Sequence, residues 1–150
     1  MIETCELYRM IPQEEHDRVF AGTAGAELDS TFLAFEEVYK GIRNFVPKSW
    51  TILDIGCGYA AQAYYFRDYK KYIGVTLPME GAKYYRTENM ELYGTSAQEF
   101  IPRFVIDNDV SKVFAICSYV PDAVAQQLVR DCFPYHLVYY PSYDREFREF

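Results

Sequence analysis

The sequence predicts an α/β fold, a three-layer sandwich around a mostly parallel sheet of about five strands. Three observations support this. Short apolar runs bounded by turn residues alternate with segments of helical spacing, as in chains that build parallel sheets. One run, Thr51 to Ile55, is apolar on both faces and flows straight into Gly56-Cys57-Gly58, the pattern of a central strand buried on both sides and closed by a tight turn. Half of the 150 residues are hydrophobic and 18% are aromatic, with 15 Tyr and 11 Phe, enough to fill the core of one domain.

Taken in order, residues 1–28 read as a polar, partly helical lead-in broken by the small-residue loop Ala21-Gly22-Thr23-Ala24-Gly25. Asp29 or Ser30 can cap a helix whose face carries Phe32, Phe35, Val38, Tyr39 and Ile42 and which ends before Pro47. The first strand spans Thr51 to Ile55, and the glycine turn leads to a helix over Ala60 to Tyr69, packed through Ala63, Tyr64 and Phe66. The second strand is Tyr72 to Leu77, and Pro78 opens a short helix to about Arg86. The third strand lies near Met90 to Tyr93, followed by a helical stretch over residues 97–105. The fourth strand, Lys112 to Ser118, is nearly all apolar; a helix from Pro121 to Cys132 leads to the fifth, Tyr135 to Tyr140. No repeat or linker divides the chain, so 1–150 reads as one domain: a helical lead-in (1–50), an α/β core (51–140) and a tail (141–150).

The glycine turn carries the chemistry. Gly56 and Gly58 allow a sharp turn and leave no Cβ in the way of a ligand. A helix starting there would present free N–H groups to the same spot. This is how α/β sheets build a nucleotide pocket at the carboxyl end of a strand. Gly56-x-Gly58-x-x-Ala61 also satisfies the dinucleotide fingerprint. Asp54 weighs against that reading, because a carboxylate there would stand near a pyrophosphate.

Ile52-Leu53-Asp54-Ile55-Gly56-Cys57-Gly58, followed at the right distance by Tyr72-Ile73-Gly74-Val75-Thr76-Leu77, resembles the first two elements of class I S-adenosylmethionine-dependent methyltransferases. The resemblance covers about two thirds of the chain and implies a Rossmann-like sheet of order 3-2-1-4-5. It implies a cofactor site of Asp54, Gly56, Cys57, Gly58, Tyr59, Thr76, Leu77, Ser96, Ala97 and Cys117. Asp54 would orient the methionine ammonium, directly or through water. Gly56 and Gly58 would line the cofactor with backbone. Thr76 and Leu77 would meet the ribose and adenine, and Ser96 and Ala97 would border the adenine edge. Ser118, Tyr119 and Asp122 fall where this family faces its acceptor, a small molecule or a protein. No residue is singled out as catalytic base.

The family normally has acids where this chain has Thr76 and Ser96. A hydroxyl there gives up charge-assisted hydrogen bonds worth on the order of 1 kcal/mol. Two accounts follow: a working methyltransferase, or a methyltransferase-like interaction module. Only Pro141 to Phe150 follow the fifth strand, too short for the antiparallel pair the family usually adds. The exposed edge of the fifth strand invites cover by the tail or by a second copy in a homodimer.

A net charge of -7 argues against nonspecific nucleic-acid binding. No run approaches the roughly 20 apolar residues of a membrane span, and the acidic N-terminus does not read as a secretion signal. Cys5, Cys57, Cys117 and Cys132 form no C-x-x-C pair and read as free thiols of a cytoplasmic protein. His16 and His136 are isolated, so no metal site is expected. The tyrosine pairs Tyr64-Tyr65 and Tyr84-Tyr85 are expected to leave one member each on the surface.

Overall fold

Each apolar run of the core forms a strand in the computed structural model, which describes residues 9–11, 39–77, 83–118, 120, 122–141 and 147–149. The first strand of the sequence is β2 (Thr51–Ile55), because a short β1 (Arg9–Ile11) precedes it. The others are β3 (Lys71–Thr76), β4 (Lys83–Tyr85), β5 (Met90–Gly94), β6 (Val113–Ser118), β7 (His136–Pro141) and β8 (Phe147–Glu149). Two α-helices are described in full, α1 (Ala97–Asp107) and α2 (Ala123–Cys132).

The main sheet has the order β5-β3-β2-β6-β7-β8. Its first five strands are parallel, in the expected order 3-2-1-4-5. A sixth strand goes beyond the five expected and is formed by the tail, one of the two covers expected for the fifth-strand edge. β8 returns antiparallel along β7, pairing Tyr139 with Glu149 and Pro141 with Phe147. The tail thus covers the end of an apolar edge that would otherwise expose backbone groups.

The period-two alternation of the strands divides the core in two. Ile52, Tyr72, Leu92, Phe114 and Ile116 pack on one face with Tyr39, Ile42, Ala63 and Phe66. Leu53, Ile55, Ile73, Val75, Ala115 and Val138 pack on the other against α1 and α2. α1 buries Ala97, Phe100, Ile101 and Phe104, the spacing of an α-helical stripe.

Three local expectations are corrected. The segment after the glycine turn is a 3₁₀ helix, Ala61–Phe66, and not an α-helix. Ala60, Ala63, Phe66 and Tyr69 are all buried, and a strict period of three matches the 3₁₀ repeat rather than 3.6. Asn89 fastens its far end, its Nδ2 donating to the carbonyls of Phe66 and Tyr69, both at 2.9 Å.

Lys83–Tyr85, expected within a helix, is a strand parallel to β1, and the Tyr85 amide donates to the Tyr59 carbonyl at 2.8 Å. Of the lead-in, expected to be partly helical, residues 9–11 form β1, 39–42 a helical end and 43–50 the turns that lead into β2; residues 1–8 and 12–38, with Cys5, Tyr8 and His16, lie outside the described residues.

Neither tyrosine pair leaves a member exposed. Tyr84 and Tyr85 are buried, and Tyr64 and Tyr65 are half-buried. The Arg67 guanidinium lies 4.0 Å from the Tyr64 ring centre, and Tyr65 stacks on Tyr39.

Arg43 ties the helical end to the segment that follows the 3₁₀ helix. It donates to both Asp68 oxygens, at 2.5 and 2.8 Å, and to the Tyr65 carbonyl, while Lys48 stands 3.0 Å from Asp68. The Arg43 hydrogen bond holds the Asp68 carboxyl well below the usual carboxylate range. Among the described residues no helix is long and apolar enough to cross a membrane.

Candidate functional site

The carboxyl ends of β5, β3, β2 and β6 lie side by side. Register sets Ile55 opposite both Val75 and Cys117, and Thr76 opposite Gly94. From β2 the chain builds outward to β3 and β5, then returns to β6 on the other side. Ligands bind α/β sheets at such a reversal. The sequence-selected residues Asp54, Gly56, Gly58, Thr76, Leu77, Ser96, Cys117 and Ser118 all fall along this edge because they end its strands or begin the following loops.

The turn is held in shape by its own backbone. Gly56 and Gly58 have φ of 76° and 57°, and Ala60, at 60°, adopts the same left-handed region, which favours glycine at the first two positions. The amides of Gly56 and Cys57 both donate to the Val75 carbonyl, at 2.7 and 3.1 Å. These two groups are therefore committed to the neighbouring strand, and a ligand meets the turn from Gly58 onward. A Cβ on Gly58 would meet nothing within 4 Å among the described residues, so the space beside it is open there. Tyr59 (42% exposed) and Leu77 (64% exposed) are apolar surfaces left uncovered at this edge.

Beneath the turn lies Asp54, a fully buried carboxyl group. Tyr72 Oη on β3 donates to its Oδ2 at 2.5 Å, and Gln62 Nε2 donates to the same oxygen at 2.7 Å. Gln62 Nε2 also reaches the Cys57 carbonyl at 2.9 Å, joining carboxyl group and turn. Oδ1 is equally buried and has no hydrogen-bond partner among the described residues. Burial raises the Asp54 pKa to about 6, while the bonds from Tyr72 and Gln62 act in the opposite direction. The sequence singled out Asp54 but missed Gln62 and Tyr72. The available signal was that Tyr72, a polar-tipped ring, sits inside an otherwise apolar strand.

Most of the remaining candidates also make contacts within the fold. Cys57 and Cys117 are buried, and burial pushes the Cys117 thiol up to about 12, so it is not a nucleophile at neutral pH. Ser96 caps α1, its hydroxyl accepting from the Glu99 amide at 3.2 Å, and Ala97 is buried behind it. Thr76 is buried, and its hydroxyl stands 3.4 Å from the Leu77 carbonyl.

Asp122 caps α2 by accepting from Val124 and Ala125, and it accepts from Gln98 Nε2 on α1 at 2.6 Å. Removing this cap in Asp122→Ala is expected to lower Tm by about 3 °C, as thermal unfolding by circular dichroism would show. Tyr119 lies outside the described residues. His136 Nδ1 bonds the Phe133 carbonyl at 2.7 Å, a local structural contact. No group of three His, Cys, Asp or Glu among the described residues could hold a metal ion.

This architecture, five parallel strands flanked by helices with a glycine turn at the switch point, is a Rossmann-like α/β fold. A solved structure described as "a putative caffeoyl-CoA O-methyltransferase from Staphylococcus aureus" shares it, at TM-score 0.50 and 11% identity over 85% of this chain. This chain spans 64% of that structure. At such identity the likeness is one of fold. No protein-family model and no curated protein matches the sequence.

Proposed function

We propose that this protein binds S-adenosylmethionine at the carboxyl edge of its sheet and is a methyltransferase acting on a small-molecule or protein acceptor. The observation that supports this best is Asp54: a buried carboxyl group under an open glycine turn, with one oxygen bonded twice and the other without a partner among the described residues. A buried acceptor without a partner is costly, and a ligand ammonium is the donor whose charge suits it.

S-adenosylmethionine, when bound, supplies a methyl group activated for displacement by a nucleophile. The chain's own residues bind and align. Asp54 Oδ1 would receive the ammonium, and Gly58 admits the ligand close to the backbone. Leu77 and Tyr59 offer apolar surface to the nucleoside, and Thr76 would share one hydrogen bond with the ribose. Methyl transfer needs mainly proximity and alignment. The acceptor would lie over the end of β6 and the loop to α2. Gln126 Nε2 steadies that loop by donating to the Val120 carbonyl at 2.8 Å. The O-methyltransferase description of the fold neighbour makes a hydroxyl the first acceptor to screen.

A second reading, a methyltransferase-like module without catalysis, is favoured by one observation. Ser96, standing where the family has an adenine-binding acid, already caps α1. The dinucleotide reading loses support. A pyrophosphate relies on a helix N-terminus, and here a six-residue 3₁₀ helix with no side-chain cap follows the turn.

Calorimetric titration with S-adenosylmethionine, S-adenosylhomocysteine and NADH separates the three. Micromolar binding of the first two, lost in Asp54→Ala, is expected. A folded protein that binds neither would leave the interaction module standing.

A further inference from the structure

We infer that Gln62 and Tyr72 are positioning residues that hold Asp54 with Oδ1 as its one available acceptor, so that binding of a cationic ligand group is linked to loss of a proton from this carboxyl group. The inference rests on the S-adenosylmethionine reading and deepens it.

The geometry is specific. Both donors converge on Oδ2 from two different elements: Tyr72 from the neighbouring β3 and Gln62 from the 3₁₀ helix after the turn. A carboxylate with two donors on one oxygen cannot rotate about its terminal torsion without breaking both. Gln62 spends its other contact on the Cys57 carbonyl, so the acceptor and the turn move as one unit. Neither donor brings a charge. In the protonated state Asp54 gains a hydrogen that must sit on an oxygen. With two donors already facing Oδ2, that oxygen is Oδ1, which then presents a donor where an ammonium needs an acceptor.

The surroundings keep this titration isolated. The ionisable groups around it are Tyr72 on β3, Cys57 in the turn and Cys117 on β6, with Tyr39 behind Tyr72. Burial raises the pKa of Tyr72, Cys57 and Cys117, so all three stay neutral below pH 8. Among the described residues, what sets the Asp54 pKa is burial and the hydrogen bonds from Tyr72 and Gln62. With no cation beside it among the described residues, the carboxylate form depends on the two neutral hydrogen bonds and on the ligand.

The test has two arms. In the first, the Kd of S-adenosylhomocysteine is measured for the wild-type protein by calorimetry between pH 5 and 7.5. A flat profile above about pH 6 and a tenfold weakening per unit below it are expected, with the break moved to higher pH in Tyr72→Phe and in Gln62→Met. Tight binding that does not change with pH would overturn the proton linkage while leaving the cofactor reading intact.

In the second arm, the Asp54 carboxyl ¹³C resonance is followed against pH without ligand, in wild type and both variants. Each variant is expected to titrate higher than wild type, because each loses a bond that favours the charged form. Titration at the same pH in all three would overturn the positioning role even if no ligand ever bound. Failure of one variant to fold leaves the other variant and the wild-type profile to decide.

Discussion

Replacing Asp54 with asparagine is expected to stabilise the ligand-free protein at pH 7.5 while abolishing S-adenosylhomocysteine binding. Burial pushes the Asp54 carboxyl from its ordinary 3.8 up to about 6. The folded chain therefore holds this proton more tightly than the unfolded chain. The stability associated with the neutral form is complete below pH 4, falls as pH rises, and is gone above pH 6. Keeping the carboxylate charged in this interior costs roughly 3 kcal/mol. Asparagine removes that penalty and keeps an oxygen for Tyr72 and Gln62. Its amide nitrogen would replace the unpartnered oxygen as an unpartnered donor, costing about 1 kcal/mol.

The net gain is about 2 kcal/mol at pH 7.5 and turns into a loss of about 1 kcal/mol below pH 4, read from urea denaturation at several pH values. A variant less stable than wild type at pH 7.5 would show that Asp54 is held for the fold. A stable variant that cannot bind is the signature of a group kept for its ligand.

Gly74→Ala is expected to destabilise by about 2 kcal/mol, within the range for overpacking. Gly74 lies in β3 between the turn and the next strand. A Cβ there would stand 2.8 Å from Cys57 Sγ and 2.9 Å from Leu92 Cδ1. Leu92 can yield at its far end, whereas Cys57 is buried in the turn beside Gly56 and Gly58, so relief of the clash displaces the turn itself. Weaker ligand binding should accompany the loss of stability. In a double-mutant cycle, Cys57→Ala should cost less in the Gly74→Ala background than alone, with a coupling of about 1 kcal/mol. Strict additivity would mean that the strain is absorbed at Leu92 and the turn is untouched.

The sheet was legible because its signal is local. Ile52, Leu53 and Ile55 form an apolar run ended by glycines, and the runs 71–76, 90–94, 113–118 and 136–141 repeat the pattern. Alternation then assigns each residue to one of two faces, as the two cores confirm. Asp54 and the glycines were legible for the same reason: a carboxyl group inside an apolar strand and two glycines after it are exceptions that need an explanation.

The 3₁₀ helix was misread although its period of three, Ala60, Ala63, Phe66 and Tyr69, is present in the sequence. Over so short a stretch, three and 3.6 differ by about two residues, and what decides between them is Asn89, twenty residues away, bonding the carbonyls at the helix end. β4 escaped detection because Lys83–Tyr85 is a strand only by pairing with Arg9–Ile11, across more than seventy positions of sequence.

By itself, the sequence determined the five strand-forming runs, the glycine turn that ends the first of them and the carboxyl group beneath that turn. Each follows from patterns within a few residues: apolar period, glycine turn, polar exception. Tertiary structure alone decided which oxygen of Asp54 is bonded and which is left. That depends on Tyr72 and Gln62 arriving from two other elements, and on burial deep enough to raise the carboxyl pKa. Hydrogen-bond direction and desolvation belong to the packed interior, where groups far apart in the chain share one volume from which water is excluded.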